Sequence, residues 1–246
     1  MYSVMQNLTK IKNRKILVIV AHPDDETLWF FQSIQFLKHD NEVLIFCATY
    51  SAISKRGKEL TKVADSLNLK VVFGHCEDTG IDHFLKKTEL QQAFIKVFSK
   101  YKIDLAITHP PHGGEKPHPH HIQLYFLTKD FSRYYSAQFS FFCEQKLLTA
   151  SKNHNDLFLN LKKKKYIAYQ IFQGYRSLKD KEDNLLYIIK CILSVFFSFK
   201  SFFGFETEVD IEAKQASLAC FESQQDVLKS YYAYYKKSEY LYIENQ

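Results

Sequence analysis

Within five residues the chain places one imidazole and three carboxylates: His22, Pro23, Asp24, Asp25 and Glu26, at the end of an apolar run. A neutral imidazole nitrogen from His22 and a carboxylate oxygen from Asp25 are donors of the kind that hold one divalent ion. The mix suits zinc, and iron, cobalt or manganese are compatible with it. Pro23 restricts the turn and removes a competing amide donor. Asp24 then stands beside the ion without having to ligate it, where a general base acting on water belongs. The competing reading is a helix cap. Asp24 or Asp25 can cap the helix that follows, and Glu26 favours its first turn. One cap does not require the whole cluster, and Glu26 reads as support for the turn.

A second cluster lies downstream. His109, His112, His118, His120 and His121 are five of the ten histidines, in a loop rich in Gly and Pro. Neutral imidazoles packed together are costly unless bound, charged or exposed. A solvated surface cluster is the plain alternative. His121, at the start of a helix, can complete a three-donor set with His22 and Asp25, leaving one position open. His118 can face the same pocket. Protonated, it can stabilise an oxyanion and pass its proton to a leaving amine. His120 points elsewhere or buttresses a neighbour.

Both clusters need elements to position them. Residues 15–21, KILVIVA, read as a buried central strand of a parallel sheet. Helix is expected over 26–38, strand over 42–50, helix over 56–67, strand over 70–73, helix over 88–100 and strand over 104–109. A helix follows His121. Alternating strands and helices imply βαβ units, hence an α/β fold: a Rossmann-like, predominantly parallel sheet flanked by helices. Ligands of such sheets lie outside the carboxyl ends of the strands. His22–Glu26 follow the first strand and the histidine loop follows the fourth, so both are expected on one edge. Beyond Asp130 the pattern weakens. AQFSFFCE and YIAYQIFQ read as strands of a smaller or antiparallel extension, and 210–237 as one long closing helix. The expected organisation is a single domain over 1–246, with a core over 15–127 and a C-terminal extension and substrate rim over 128–246.

The chain has 246 residues, 46% of them hydrophobic, and a formal charge of +6, which allows one large core and is only mildly basic. A nucleic-acid partner is not expected, because Lys and Arg form no reading motif. The longest basic run, Lys162–Lys165, reads as a solvated edge, with contact to phosphate or an anionic membrane as the alternative. Five cysteines without CxxC spacing suggest neither a disulfide framework nor a thiolate site. The N-terminus lacks an apolar signal segment, so a cytoplasmic location is expected. The apolar segment 185–205 carries Lys190, Ser194, Ser198 and Ser201 at helical spacing. It reads as a buried helix, a helix lying in a membrane surface or a partner interface; its lysines argue against a spanning helix.

AHPDDE at 21–26 and HPHH at 118–121 together resemble the motifs of the N-acetylglucosaminyl-phosphatidylinositol de-N-acetylases, the zinc-dependent LmbE-like deacetylases. The resemblance spans roughly residues 15–127. It implies His22, Asp25 and His121 as metal ligands, Asp24 as general base and His118 as proton donor or oxyanion stabiliser. The family's Arg-x-x-Glu pattern falls on Arg56 and Glu59, and its acidic position after the third strand on Asp78. Arg56 and Asp78 are therefore expected to bind substrate, although a solvated helix arginine and a turn aspartate would look the same. Two positions depart from the pattern. Many bacterial relatives have Asp where this chain has His120, and a Gly-rich stretch where it has Trp29, Phe30 and Phe31. The Phe pair is closer to the eukaryotic branch; it forms either core or an apolar contact for a lipid carrier.

The resemblance implies hydrolysis of the acetyl amide of an N-acetylglucosamine-type sugar, lipid-linked or otherwise, in bacterial glycan or glycolipid biosynthesis. The segment 185–205 would then contact the inner face of a membrane peripherally. The rival readings are a metal hydrolase of another amide or a sugar ester, and a glycan-binding protein that has lost catalysis.

Overall fold

The computed structural model describes residues 8, 10–111, 113–114, 118–143, 189, 202–231 and 238–244. Its centre is β1 (Lys15–Val20), buried at every position after Lys15. Successive side chains of a strand point to opposite faces, and here both faces meet core. Ile16, Val18 and Val20 enter one apolar cluster, and Leu17, Ile19 and Ala21 another. That two-sided burial is why the run is apolar without alternation. Each such side chain contributes about 1.5–3 kcal/mol when removed from water.

β1 pairs in parallel with β2 (Glu42–Thr49) on one side and β4 (Leu105–Thr108) on the other, Ile16 standing opposite both Val43 and Leu105. β3 (Lys70–Cys76) continues beyond β2, and β5 (Gln138–Cys143) beyond β4, both parallel. β7 (Ser238–Glu244) pairs antiparallel with β5, and β6 (Phe202–Glu208) antiparallel with β7. Among the described residues the strand order is β3-β2-β1-β4-β5-β7-β6. Helices α1 (Asp25–Asp40) and α2 (Lys55–Ser66) cover one face. Helices α3 (Lys87–Tyr101) and α4 (Pro119–Tyr134) belong to the other. The parallel α/β sheet with helices on both faces is the expected fold class.

Trp29, Phe30 and Phe31 are all core-facing. Phe30 meets Phe142 with ring centroids 4.0 Å apart, and Trp29 meets Tyr231 at 5.6 Å. They are packing residues of α1, not an outward apolar wall.

Three expectations for the C-terminal part need correction or fall outside the described residues. First, Gln138–Cys143 within AQFSFFCE form a strand, but it extends the main parallel sheet. Second, 210–237 is not one helix. Helix α5 (Ile211–Leu218) stops, a 3-10 turn follows at Glu222–Gln224, and α6 (Gln225–Lys229) begins anew. Phe221 and Leu228 are buried in the core. The N–H and O–H of Ser223 donate to Glu59 at 3.0 and 2.6 Å. Those contacts pull the chain onto α2, and tertiary packing overrides local helix preference. Third, the end of the apolar segment 185–205 lies in β6, where Phe202 pairs with Glu244 and Phe205 with Leu241. Apart from Ile189, the rest of that segment, together with Lys162–Lys165 and YIAYQIFQ, lies outside the described residues. Among the described residues no helix is long and apolar enough to cross a membrane.

Because β1 to β4 run parallel, the loops after all four open on one edge of the sheet, where both clusters are found.

Candidate active site

The turn after β1 is tight. Asp24 has φ of 112°, a left-handed conformation that costs a non-glycine residue about 1–3 kcal/mol. It is held there from several sides. The amide N–H groups of Thr27 and Leu28 donate to the Asp24 carbonyl at 3.0 and 2.8 Å. The Asp24 N–H donates to Glu26 Oε2 at 3.1 Å, and Thr27 Oγ1 donates to Glu26 Oε1 at 2.6 Å. Glu26 is buried beneath the turn, as its supporting role requires. Burial pushes its carboxyl up to about 7, against the hydrogen bonds of Thr27 and the backbone.

Asp25 sits where the two clusters meet. Its Oδ2 accepts from the His22 amide at 2.8 Å. The same oxygen lies 3.4 Å from His22 Nδ1, 3.3 Å from His121 Nε2 and 3.4 Å from His109 Nε2. His109 Nε2 accepts from the Ala21 amide at 3.2 Å, so its proton is on Nδ1 and none stands between it and Asp25. His109 is neutral at pH 7, since burial and His121 lower its pKa to about 4. Its ring stacks on His121 at 3.8 Å and 5°, fixing that ring's plane. His121 Nδ1 donates to the Gly113 carbonyl at 3.0 Å, which leaves a lone pair on Nε2. That buried Nε2 has no hydrogen-bond partner. A lone pair and a carboxylate oxygen facing each other at 3.3 Å repel unless a cation lies between them. The His22 amide donates to the Asp25 carboxylate, which favours its charged form, so it is the anionic donor.

Two three-residue donor groups occur among the described residues: His22, Asp25 and His121, and His22, His118 and His120. The first fits a divalent ion better. It offers an anionic oxygen and an orphaned nitrogen, whereas both ring nitrogens of His120 are already engaged.

Asp24 and His118 flank this set. Burial pushes the Asp24 carboxyl well up, and Arg56 only partly restores it. Arg56 Nη2 donates to Asp24 Oδ2 and to the Pro23 carbonyl, both at 2.9 Å, and Nη1 donates to the Tyr50 hydroxyl at 3.1 Å. The Tyr50 hydroxyl donates to Asp78 Oδ2 at 2.8 Å, and Asp78 Oδ1 accepts from the Gly80 amide. Burial raises the Asp78 carboxyl, and His22 and the Tyr50 hydroxyl more than offset that. Arg56 and Asp78 thus both face the cleft, tied to one another through Tyr50. His118 caps α4: its Nδ1 accepts from the His120 amide at 3.3 Å. Burial, then His121, His22 and His120, push its pKa far down. The protonated His118 expected from the sequence is therefore not its resting state. It is a neutral imidazole with its proton on Nε2.

Asp24, Asp25, Arg56, Asp78, His118 and His121 line a cleft of about 160 Å³ whose far wall is Gln224, Val227, Leu228 and Tyr231. A larger groove of about 790 Å³ runs between β3 and α3, lined among others by Phe73, Lys96 and Tyr101; neither donor group is in it. Sequence reasoning passed over Tyr50, although it stands at the carboxyl end of β2, where ligand contacts are expected. The far wall carries no local signal. Glu59 places it, by holding Ser223.

The sheet and this edge site define an α/β domain, and residues 17–132 are similar to the family described as PIG-L: GlcNAc-PI de-N-acetylase. The chain is 29% identical over 127 residues to a probable N-acetylglucosaminyl-phosphatidylinositol de-N-acetylase of Schizosaccharomyces pombe, over 47% of this chain and 51% of that protein. It thus spans about half the length of the curated relative it matches. Among solved structures it resembles a deacetylase of the teicoplanin biosynthesis pathway, with a TM-score of 0.58 and 12% identity over 93% of this chain and 97% of that one. That likeness is one of fold.

Proposed function

We propose that the chain is a metal-dependent hydrolase that removes the acetyl group from an N-acetylglucosamine-type amino sugar. The observation that carries the reading is the convergence of His22 Nδ1 and His121 Nε2 on Asp25 Oδ2 at 3.4 and 3.3 Å, with Asp24 and His118 on the same cleft. Zinc suits the donor set, and iron, cobalt and manganese are compatible with it. Bound there, the ion would supply a Lewis acid and acidify water.

The chain's own residues then divide the work. Asp24, made more basic by burial, accepts the proton of the attacking water while Arg56 holds its carboxylate in place. His118 Nε2–H donates to the oxyanion that develops on the acetyl carbonyl. The C–N bond breaks, the nitrogen takes a proton from Asp24, and acetate and a free amine leave. Tyr50, Arg56 and Asp78 present donors and acceptors suited to sugar hydroxyls.

A lipid-linked form of the sugar is favoured. Ile53 and Ile81, in the loops after β2 and β3, are 83% and 58% exposed, and Val227, on the far wall, is 52% exposed. All three belong to segments that border the cleft, where an acyl chain or membrane surface would meet them. The Schizosaccharomyces pombe relative is named for such a substrate. Because that relative is a fission-yeast protein, it lends the bacterial setting no support.

The test is metal content by elemental mass spectrometry, with His121→Ala beside the wild type, followed by acetate release. About one ion per chain, lost in the variant, is expected. N-acetylglucosaminyl-phosphatidylinositol in vesicles should then release acetate faster than a nucleotide sugar does. No ion after reloading would refute the mechanism. An ion without acetate release from any N-acetylated sugar would leave another hydrolase activity or glycan binding as the reading.

A further inference from the structure

We infer that His120 is a positioning residue that sets the tautomer of His22, and so decides which nitrogen of His22 is left to bind the ion. This rests on the metal-hydrolase reading. The argument starts from a group with no choice. His120 is fully buried. Its Nε2 lies 3.1 Å from the His83 carbonyl and 2.8 Å from Thr79 Oγ1. A carbonyl oxygen only accepts, so the proton of neutral His120 is on Nε2. Thr79 is compatible with that, because its hydroxyl can donate onward to the His83 carbonyl at 3.3 Å.

With its proton on Nε2, His120 Nδ1 carries a lone pair. That nitrogen lies 3.0 Å from His22 Nε2. The contact is a hydrogen bond only if His22 carries its proton on Nε2. Nδ1 of His22 is then a lone pair, and it is the nitrogen facing Asp25 Oδ2 at 3.4 Å. Asp78 does not compete as the acceptor. Its Oδ1 is 3.7 Å from His22 Nε2 and 3.9 Å from His120 Nδ1, beyond hydrogen-bond length. The reverse arrangement would set a lone pair of His120 Nε2 against the His83 carbonyl oxygen at 3.1 Å, two acceptors facing one another. One backbone carbonyl after β3 thus governs, through His120, the donor presented at the end of β1.

Groups that orient a ligating histidine through its second nitrogen typically change metal affinity by about 10- to 100-fold when removed. Two substitutions separate support from packing and from direct ligation. His120→Phe keeps the ring volume and loses the polar contacts of both ring nitrogens. His120→Asn puts a carbonyl oxygen where Nδ1 stands, so it can still accept from His22 Nε2, and it is a poor zinc ligand.

The first measurement needs no variant. Long-range ¹⁵N–¹H spectra of the metal-free, full-length protein should place the His22 proton on Nε2. A His22 protonated on Nδ1 overturns the inference. Zinc affinity is then read by competition with a chromophoric chelator, on variants shown to be folded by circular dichroism. The Phe variant should bind about 10- to 100-fold more weakly, and the Asn variant close to wild type. A Phe variant that binds like wild type, or an Asn variant that falls as far as Phe, overturns it too. A wild type that binds no zinc at all sinks the metal-hydrolase reading instead, while the His22 tautomer still reports on His120.

Discussion

Replacing Arg56 by Met keeps the aliphatic stem that packs against the cleft and removes the cation that faces Asp24. The pair is largely buried, with side-chain exposures of 16% and 10% and a separation of 2.9 Å. The guanidinium also donates to the Pro23 carbonyl at 2.9 Å. Hydrogen bonds to charged groups contribute about 1.5–3 kcal/mol each. Removing one partner of a buried pair costs about 3–5 kcal/mol, because the remaining charge is stranded. The expected loss for Arg56→Met is therefore about 4 kcal/mol at pH 8. It should shrink as the pH falls. Asp24 is already raised by burial, and losing its cation raises it further. A carboxyl whose folded pKa lies above the unfolded one destabilises the fold as pH rises from the unfolded value through the folded one. Below that window Asp24 is neutral and the stranded charge disappears. The assay is urea unfolding of the metal-free protein at pH 5 and pH 8, in a double-mutant cycle with Asp24→Asn. A coupling of about 2 kcal/mol at pH 8 is expected. A loss under 1 kcal/mol, equal losses at the two pH values, or additivity with Asp24→Asn would each refute the claim that Arg56 neutralises a buried Asp24.

Two further predictions concern the parts that hold the site. Glu26→Gln should stabilise the metal-free protein at pH 8 by up to about 3 kcal/mol, the free energy between an ordinary 4.5 and a folded value of about 7. The gain should vanish near pH 4, where Glu26 is neutral folded and unfolded alike; a thermal-unfolding series with no such trend would count against a buried, ionised Glu26. Gly113→Ala should weaken zinc binding, because φ is +82° there and a Cβ would stand 2.8 Å from His118 N and 2.9 Å from Ile122 Cγ1. The backbone would have to shift and carry with it the carbonyl that orients His121; chelator competition should show a loss of about tenfold or more, and an unchanged affinity would free His121 from dependence on that carbonyl.

How far the sequence could be read depended on whether the deciding contact was local. β1 was legible because both of its faces are core, which leaves an uninterrupted apolar run at 16–21. The edge location of His22–Glu26 and His118–His121 was legible because both follow parallel strands, and chain direction alone sends them to one side. The break in 210–237 was not legible. Helical spacing there is unexceptional, and the chain turns because Glu59, 164 residues earlier, captures Ser223. Strand β7 was missed although 238–244 alternates, with Leu241 and Ile243 in one core cluster, because its partners β5 and β6 are distant in sequence. The histidines show the same limit at atomic scale. Spacing put His22, Asp25 and His121 forward as a candidate donor set, and the fold brings their donor atoms together. Spacing left His120 as either a bystander or a buttress. What separates those is which nitrogen bears a proton, and that is settled by the His83 carbonyl, 37 residues earlier in the chain. A motif specifies which side chains reach a site. The tautomers that make them ligands or supports come from acceptors that the motif does not contain.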